Sequence, residues 1–185
     1  LGSTDNTNVH IDMPSQILPD EPLINNNADL GNYWIRGYQR IQYANVVISR
    51  IDVAKWKSDE ERNNILGKAY FHRANVYYRL VHQHGDVPLI LNEISEPRLD
   101  FYTCTRESIL KKCKKDLEFA AQWVYVDCPI GDINKAAVNH LLTKVNLALG
   151  EFDDAVASAN AVINDGVHAL MTSRFGSYKD APTHD

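Results

Sequence analysis

One stretch of this chain, SDEERNNILGKAYFHRANVYYRLVHQHGDVPLI from Ser58 to Ile90, leaves little freedom in how it folds. Ser58 and Glu61 fit a capping box, in which hydroxyl and carboxylate each satisfy an orphan backbone donor of a first helical turn. Leu66, Ala69, Tyr70, Val76, Tyr77, Leu80 and Val81 then recur at helical spacing and form a wide apolar stripe. Gly85 suits a left-handed position just past the helix end, and Pro88 prevents the helix from resuming. The segment predicts one amphipathic helix, Ser58 to Gln83, followed by a hard stop.

The rest of the chain is organised around that helix. Residues 1–30 are polar and irregular, with Pro14, Pro19, Pro22 and an Asn25-Asn26-Asn27 run, and read as a surface arm. Residues 31–185 read as one helical domain. Besides Ser58–Gln83, helices are predicted from Gly31 to Ile51, from Thr105 to Val124, from Asn134 to Gly150 and from Glu151 to Asp165. The first buries Trp34, Tyr38, Ile41, Ala44 and Ile48. A long connection, His84 to Cys104, separates the second and third helices and carries Pro88 and Pro97; its length invites a functional reading. The last two helices form an αα-hairpin with a tight turn at Gly150-Glu151-Phe152. Leu142, Gly150, Phe152 and Ala155 partly match a tetratricopeptide repeat, and the second and third helices read as a degenerate copy. Paired helices of this kind must stack to bury their apolar faces. The expected fold is all-α, a superhelical stack of helical pairs.

Composition narrows the function. A chain of 185 residues with 44% hydrophobic and 23% charged residues can bury a core of its own. A net charge of −5 argues against nucleic acid as a partner, because phosphate contacts need a basic patch. The one basic run, Lys111, Lys112, Lys114 and Lys115, lies beside Asp116 and Glu118 and reads as a solvated helix face. Cys104, Cys113 and Cys128 are odd in number and irregular in spacing, so no disulfide framework follows. Cys113 falls among Ile109, Leu110 and Leu117, as a small buried hydrophobe would. No run is long and apolar enough to span a bilayer. No signal peptide is present and Leu1 is not an initiator Met, so the chain reads as processed or trimmed.

Nothing in the chain has a catalytic pattern. There is no nucleophile elbow, phosphate loop or paired-histidine zinc motif. Glu60 with Glu61, and Asp153 with Asp154, are helical neighbours whose side chains diverge by about 100°, which suits caps and solvent. His82, His84 and Asp86 give an H-x-H-x-D run, but at a helix terminus i and i+2 side chains diverge, and no further ligand completes a metal set. No catalytic residue, metal site or cofactor is therefore expected. Arg73 sits in the apolar stripe; its stem packs on aromatics while its guanidinium bonds backbone carbonyls or a carboxylate. Asn45 similarly reads as a tie to a neighbouring backbone segment. The binding candidates are Asn32, Tyr33 and Trp34, in the run Asp29 to Arg36. Aromatic faces stack on sugar rings and amide, carboxylate and guanidinium groups bond hydroxyls, although an aromatic opening an amphipathic helix also serves as core.

The Ser58–Ile90 segment also resembles the helix that opens the tetratricopeptide-like core of the SusD/RagB family of outer-membrane nutrient-binding lipoproteins. Members carry E-x-x-R-N-x-I-x-G-x-A-x-F-x-R-A-x-x-Y-x-x-L followed by Y-G-D-V-P-L. Here the matches are Glu60 or Glu61, Arg62, Asn63, Ile65, Gly67, Ala69, Phe71, Arg73, Ala74, Tyr77 and Leu80, then Gly85, Asp86, Val87, Pro88 and Leu89; His84 stands where the family places an aromatic. Trp34, Tyr38, Ile41, Ala44, Asn45 and Ile48 resemble the preceding family helix. Thr105-Arg106-Glu107 with Asp116-Leu117 and Ala120, and then Gly131, Ile133, Lys135, Ala137, Leu141, Leu142, Lys144, Val145, Leu147 and Gly150, resemble the following ones, with Thr143 replacing a small residue.

The resemblance covers only the N-terminal part of a typical member. It implies a right-handed superhelix of tetratricopeptide-like pairs and a non-enzymatic, lipid-anchored component on the cell-surface side of the outer membrane. That component would bind oligosaccharide and act with a SusC-like TonB-dependent transporter, this portion serving mainly as scaffold and docking face. Loop residues ahead of the first helix contribute to ligand sites in such proteins, which adds Asp5 to Asn32, Tyr33 and Trp34. The competing reading is a generic tetratricopeptide-type module that holds a peptide or partner protein. Apolar surface left on the last helix predicts association through that side.

Overall fold

The computed structural model describes residues 28–129 and 131–168. Five α-helices lie among them: α1 Ala28–Arg50, α2 Asp59–His84, α3 Arg106–Trp123, α4 Lys135–Leu149 and α5 Phe152–Ile163. A 3-10 turn, Ile51–Val53, extends the end of α1, which begins three residues earlier than the Gly31 expected. The backbone divides into two compact units at Arg36 and Gly37; the packing below belongs to the second.

Local chemistry accounts for the helix ends. Ser58 Oγ accepts the Glu61 N–H at 3.1 Å, Thr105 Oγ1 that of Ser108 at 3.3 Å, and Asn134 Oδ1 that of Ala137 at 2.8 Å. The Glu61 carboxylate reaches back to the N–H of Lys57, at 2.9 Å, rather than to that of Ser58 as a standard capping box requires. Gly150 is left-handed (φ 78°, ψ 14°) and donates to Asn146 and Leu147 carbonyls, closing α4 and letting α5 begin two residues later. Gly85 departs from expectation. Its φ of 73° with ψ of −125° is not left-handed helix but the mirror of the extended region, a conformation that glycine alone adopts without strain. The chain therefore leaves α2 extended rather than curling over its end.

From α2 onward each helix packs on the next, α2 on α3, α3 on α4 and α4 on α5, the nearest-neighbour pattern of a helical-repeat stack. Between α2 and α3 the core holds Ala74, Tyr77, Leu80, Ile109, Leu110, Leu117 and Ala120. Gly67 permits the approach: a Cβ there would lie 3.0 Å from Val124 Cγ2 and 3.3 Å from the Ala120 Cα. Val138, Leu141, Leu142 and Val145 continue the core, and Ala155 and Ser158 bring α5 against α4, where Thr143 Oγ1 donates to Ser158 Oγ at 3.0 Å. Thr143, the departure from the small residue of the family pattern, is thus accommodated by a hydroxyl partner. The outward side of α5 leaves Phe152, Val156 and Ile163 exposed.

The long connection after α2 has a short ladder of its own. Val87–Pro88 and Thr103–Cys104 pair antiparallel, in register Val87 with Cys104 and Pro88 with Thr103, so the loop between them springs from a closed neck. A further expectation needs correction: the lysine run is not a uniformly solvated face. Lys112 Nζ bonds Asp116 at 2.5 Å, and Lys114 Nζ reaches Glu151 and Asp154, each at 2.5 Å, tying α3 to the turn that opens α5. Lys111 and Lys115 alone of the four are exposed.

Candidate functional site

The loop that leaves this neck is held from beneath by polar side chains of α1 and α2. Tyr38 Oη donates to the Pro88 carbonyl at 2.8 Å. Tyr77 Oη donates to the Ile90 carbonyl at 3.0 Å while accepting the Ile90 N–H at 2.6 Å, so one phenol replaces a strand partner. Asn45 Nδ2 donates to the carbonyls of Ile90 and Asn92 at 3.0 and 3.2 Å. Gln42 pairs with both backbone groups of Ile94, and Arg50 forms a two-pronged salt bridge with Glu93. A loop whose backbone is satisfied this way keeps one shape without forming a strand or helix.

Arg73 lies at the centre of this arrangement. Its Nε and Nη2 donate to the two carboxylate oxygens of Asp116 at 2.9 and 3.1 Å, and its Nη1 donates to Asn45 Oδ1 at 2.9 Å and to the Leu91 carbonyl at 3.1 Å. The Tyr70 ring covers the guanidinium at 5.1 Å. Both readings made from the sequence hold here: Arg73 bonds a carboxylate and a backbone carbonyl, and Asn45 ties a neighbouring segment. Arg73 thereby fixes Asn45, and Asn45 fixes the loop. Burial pushes the Tyr38 and Tyr77 phenols well above the ordinary tyrosine range, so both remain protonated donors at neutral pH.

Two surfaces flank the clamp. On the loop side is a cleft of about 460 Å³ walled by Ile90, Asn92 and Glu96 with Arg98, Asp100 and Tyr102. On the helical side, α1 and α2 bound an open groove of about 570 Å³ with an apolar floor of Val47, Ile65, Ala69 and Val76. Tyr43, 69% exposed, stands on its edge, and Arg40, Lys68 and His72 line its rim. Burial lowers the His72 pKa, which Asp132 raises and Arg40 lowers further. The groove therefore presents the Arg40 guanidinium, a Lys68 ammonium paired with Asp132 at 2.5 Å and a neutral-leaning imidazole around an apolar trough.

Of the four candidates expected from the sequence, Tyr33 and Trp34 lie in α1, both half-buried, and Asn32 is in the same helix. Asp5 lies outside the described residues. The clamped loop and its cleft were not singled out residue by residue; their signal was the length of the His84–Cys104 connection and its two prolines. Of the His82, His84 and Asp86 run, His82 and Asp86 tie the end of α2 to the start of α3. His82 Nδ1 contacts the Tyr78 carbonyl at 2.6 Å, its Nε2 faces Arg106 Nη2 at 3.2 Å, and Asp86 Oδ1 accepts the Arg106 N–H at 2.8 Å, at the start of α3. Among the described residues no three His, Cys, Asp or Glu side chains are grouped to hold a metal ion, and no helix is long and apolar enough to cross a membrane.

Comparison with known proteins places this arrangement. Residues 3–147 match a SusD-like family described as "Starch-binding associating with outer membrane". A SusD-like protein of Formosa agariphila is 31% identical over 144 residues, 75% of this chain and 28% of that protein. A SusD-like carbohydrate-binding protein of Bacteroides fragilis superposes with a TM-score of 0.72 at 23% identity, over 78% of this chain and 29% of its own. A laminarin-binding SusD-like protein superposes with a TM-score of 0.64 at 23% identity, over 71% of this chain and 29% of its own. The chain thus spans under a third of the length of these relatives.

Proposed function

This chain belongs to the SusD-like family, and from that premise we propose that it serves a non-enzymatic glycan-binding component of an outer-membrane nutrient-uptake system, acting with a TonB-dependent transporter. Its helical portion is mainly scaffold and docking face. The observation that carries this reading is the use made of the buried polar groups. Arg73, Asp116, Asn45 and Tyr77 bond one another or the backbone of a single loop, an arrangement that holds a surface in shape and leaves no buried acid, base or nucleophile poised for chemistry among them. The α1–α2 groove supplies the docking face. Its apolar floor and the Arg40 guanidinium on its rim suit an apolar segment of the transporter flanked by a carboxylate. Localisation at the cell surface through a lipid anchor, and ligand contacts from Asp5, Asn32, Tyr33 and Trp34, follow the same reading.

The test is co-purification. Tagged protein isolated from outer membranes that contain the TonB-dependent transporter of the same uptake system should retain that transporter, and Tyr43→Glu in the groove should reduce the recovery. Retention of a water-soluble partner through the groove, with no β-barrel transporter, would instead identify a generic tetratricopeptide-type interaction module.

A further inference from the structure

The loop between Ile90 and Tyr102 carries a second feature that the scaffold does not use. At its outer end Leu99 is 102% exposed, Tyr102 85% and Phe101 40%, three large apolar side chains within four residues. Exposed apolar groups are ordinary singly, but concentrated on one loop they mark a contact surface. The loop that carries them is anchored at both ends, by Tyr77, Asn45 and Gln42 on Ile90 to Ile94 and by the pairing of Thr103–Cys104 with Val87–Pro88, which reduces the cost of ordering it for a ligand.

The polar groups beside these rings have a definite form. Arg98 Nε and Nη2 donate to the two oxygens of Asp100 at 2.9 and 2.7 Å, a planar fork with both partners more than half exposed. Arg98 also lies 5.8 Å above the Phe101 ring, which fixes guanidinium and ring relative to each other. The pair is electrically neutral, yet it keeps a free guanidinium edge and free carboxylate lone pairs. Such a fork bonds hydroxyl groups without demanding a charged ligand. Tyr102 provides a ring face and a hydroxyl on the wall of the same cleft. Stacking ring and neutral donor–acceptor fork, side by side on a loop anchored at both ends, match a sugar, which offers a C–H face and a rim of hydroxyls.

We propose that the Arg98–Tyr102 segment is a saccharide contact, with Tyr102 stacking on an uncharged sugar ring and the Arg98–Asp100 fork bonding its hydroxyls. The choice of a carbohydrate ligand rests on the family reading above; the place of contact rests on the loop. Isothermal calorimetry of the full chain against maltoheptaose, laminarihexaose and a xyloglucan heptasaccharide tests it. Binding of at least one is expected, with Tyr102→Ala and Arg98→Ala each weakening it about tenfold while Tyr43→Ala, in the groove, leaves it unchanged. All three side chains are exposed, and an unchanged circular dichroism melt will confirm that the variants fold. Binding that is equal in wild type, Tyr102→Ala and Arg98→Ala would overturn the loop site and leave the glycan-binding reading standing. No binding of any of the three by the wild type would overturn both.

Discussion

Arg73 of α2 and Asp116 of α3 meet in a two-pronged salt bridge with both side chains 3% exposed. A charge pair so deeply buried depends on each partner neutralising the other, and removing Arg73 leaves Asp116 with the Lys112 ammonium alone. Arg73→Met should cost about 3–5 kcal/mol in urea unfolding, because it takes the two-pronged partner from a buried carboxylate and also unties Asn45 and the Leu91 carbonyl. Arg73→Met combined with Asp116→Leu should cost less than the sum of the two single changes. Additive losses would show that the pair is not the unit.

Tyr77 predicts how stability responds to alkali. Its phenol is raised in the fold, chiefly by burial, above the ordinary value of about 10 that it regains on unfolding. The folded state therefore holds this proton more tightly. The stabilisation is complete below about pH 10 and is lost as pH climbs toward the folded value. Tyr38 acts in the same direction. Urea midpoints measured from about pH 8 to 11 should decline above about pH 10, and Tyr77→Phe should start lower but decline less steeply. A slope unchanged by that substitution would remove Tyr77 from the account.

Gly67 and Gly37 are both helical glycines near a neighbouring helix, yet only Gly67 should lose stability on replacement by alanine. At Gly67 the added carbon meets the Ala120 backbone at 3.3 Å and Val124 at 3.0 Å, so two helices must separate. Gly67→Ala should destabilise by about 1–3 kcal/mol. At Gly37 the contact is the flexible end of Leu80, also at 3.3 Å, and the gain in helix propensity of up to about 1 kcal/mol should offset it. Thermal melts of the two variants decide the matter.

Cys113 should be inert. Its thiol is buried and donates toward the Ala74 carbonyl at 3.7 Å, and burial, with the Asp116 carboxylate second, pushes its pKa far up. Iodoacetamide near neutral pH should label the half-buried Cys104 and Cys128 and reach Cys113 only after urea is added. Labelling of Cys113 in the native protein at a rate matching the other two would contradict the packing of α3 against α2.

Much of this fold was legible where its cause is local. Ser58, Thr105, Asn134 and Gly150 announce helix ends because a cap acts within three or four residues, and all four do so here. The stripe of α2 likewise named Tyr77, Leu80 and Val81 as core. What escaped reading depends on distant partners. The Val87–Pro88 and Thr103–Cys104 ladder has strands of two residues each, too short to show a period. Lys114 looked solvated because Glu151 and Asp154 lie far along the chain. The loop cleft was hidden for the same reason: nothing near Ile90 in sequence says that Asn45 and Tyr77 will hold it.

That a set of buried polar side chains exists to fix one loop can be measured directly by amide hydrogen exchange. The Ile90 and Ile94 N–H groups, bonded to Tyr77 Oη and to Gln42 Oε1, should exchange slowly in the native protein although they lie in neither helix nor strand. Asn45→Leu should accelerate exchange across the loop from Leu89 to Ile94 and leave the interior amides of α3 protected. Rapid exchange of these loop amides in the wild type, or an Asn45→Leu variant that protects them equally well, would contradict the claim that the clamp holds the loop in shape.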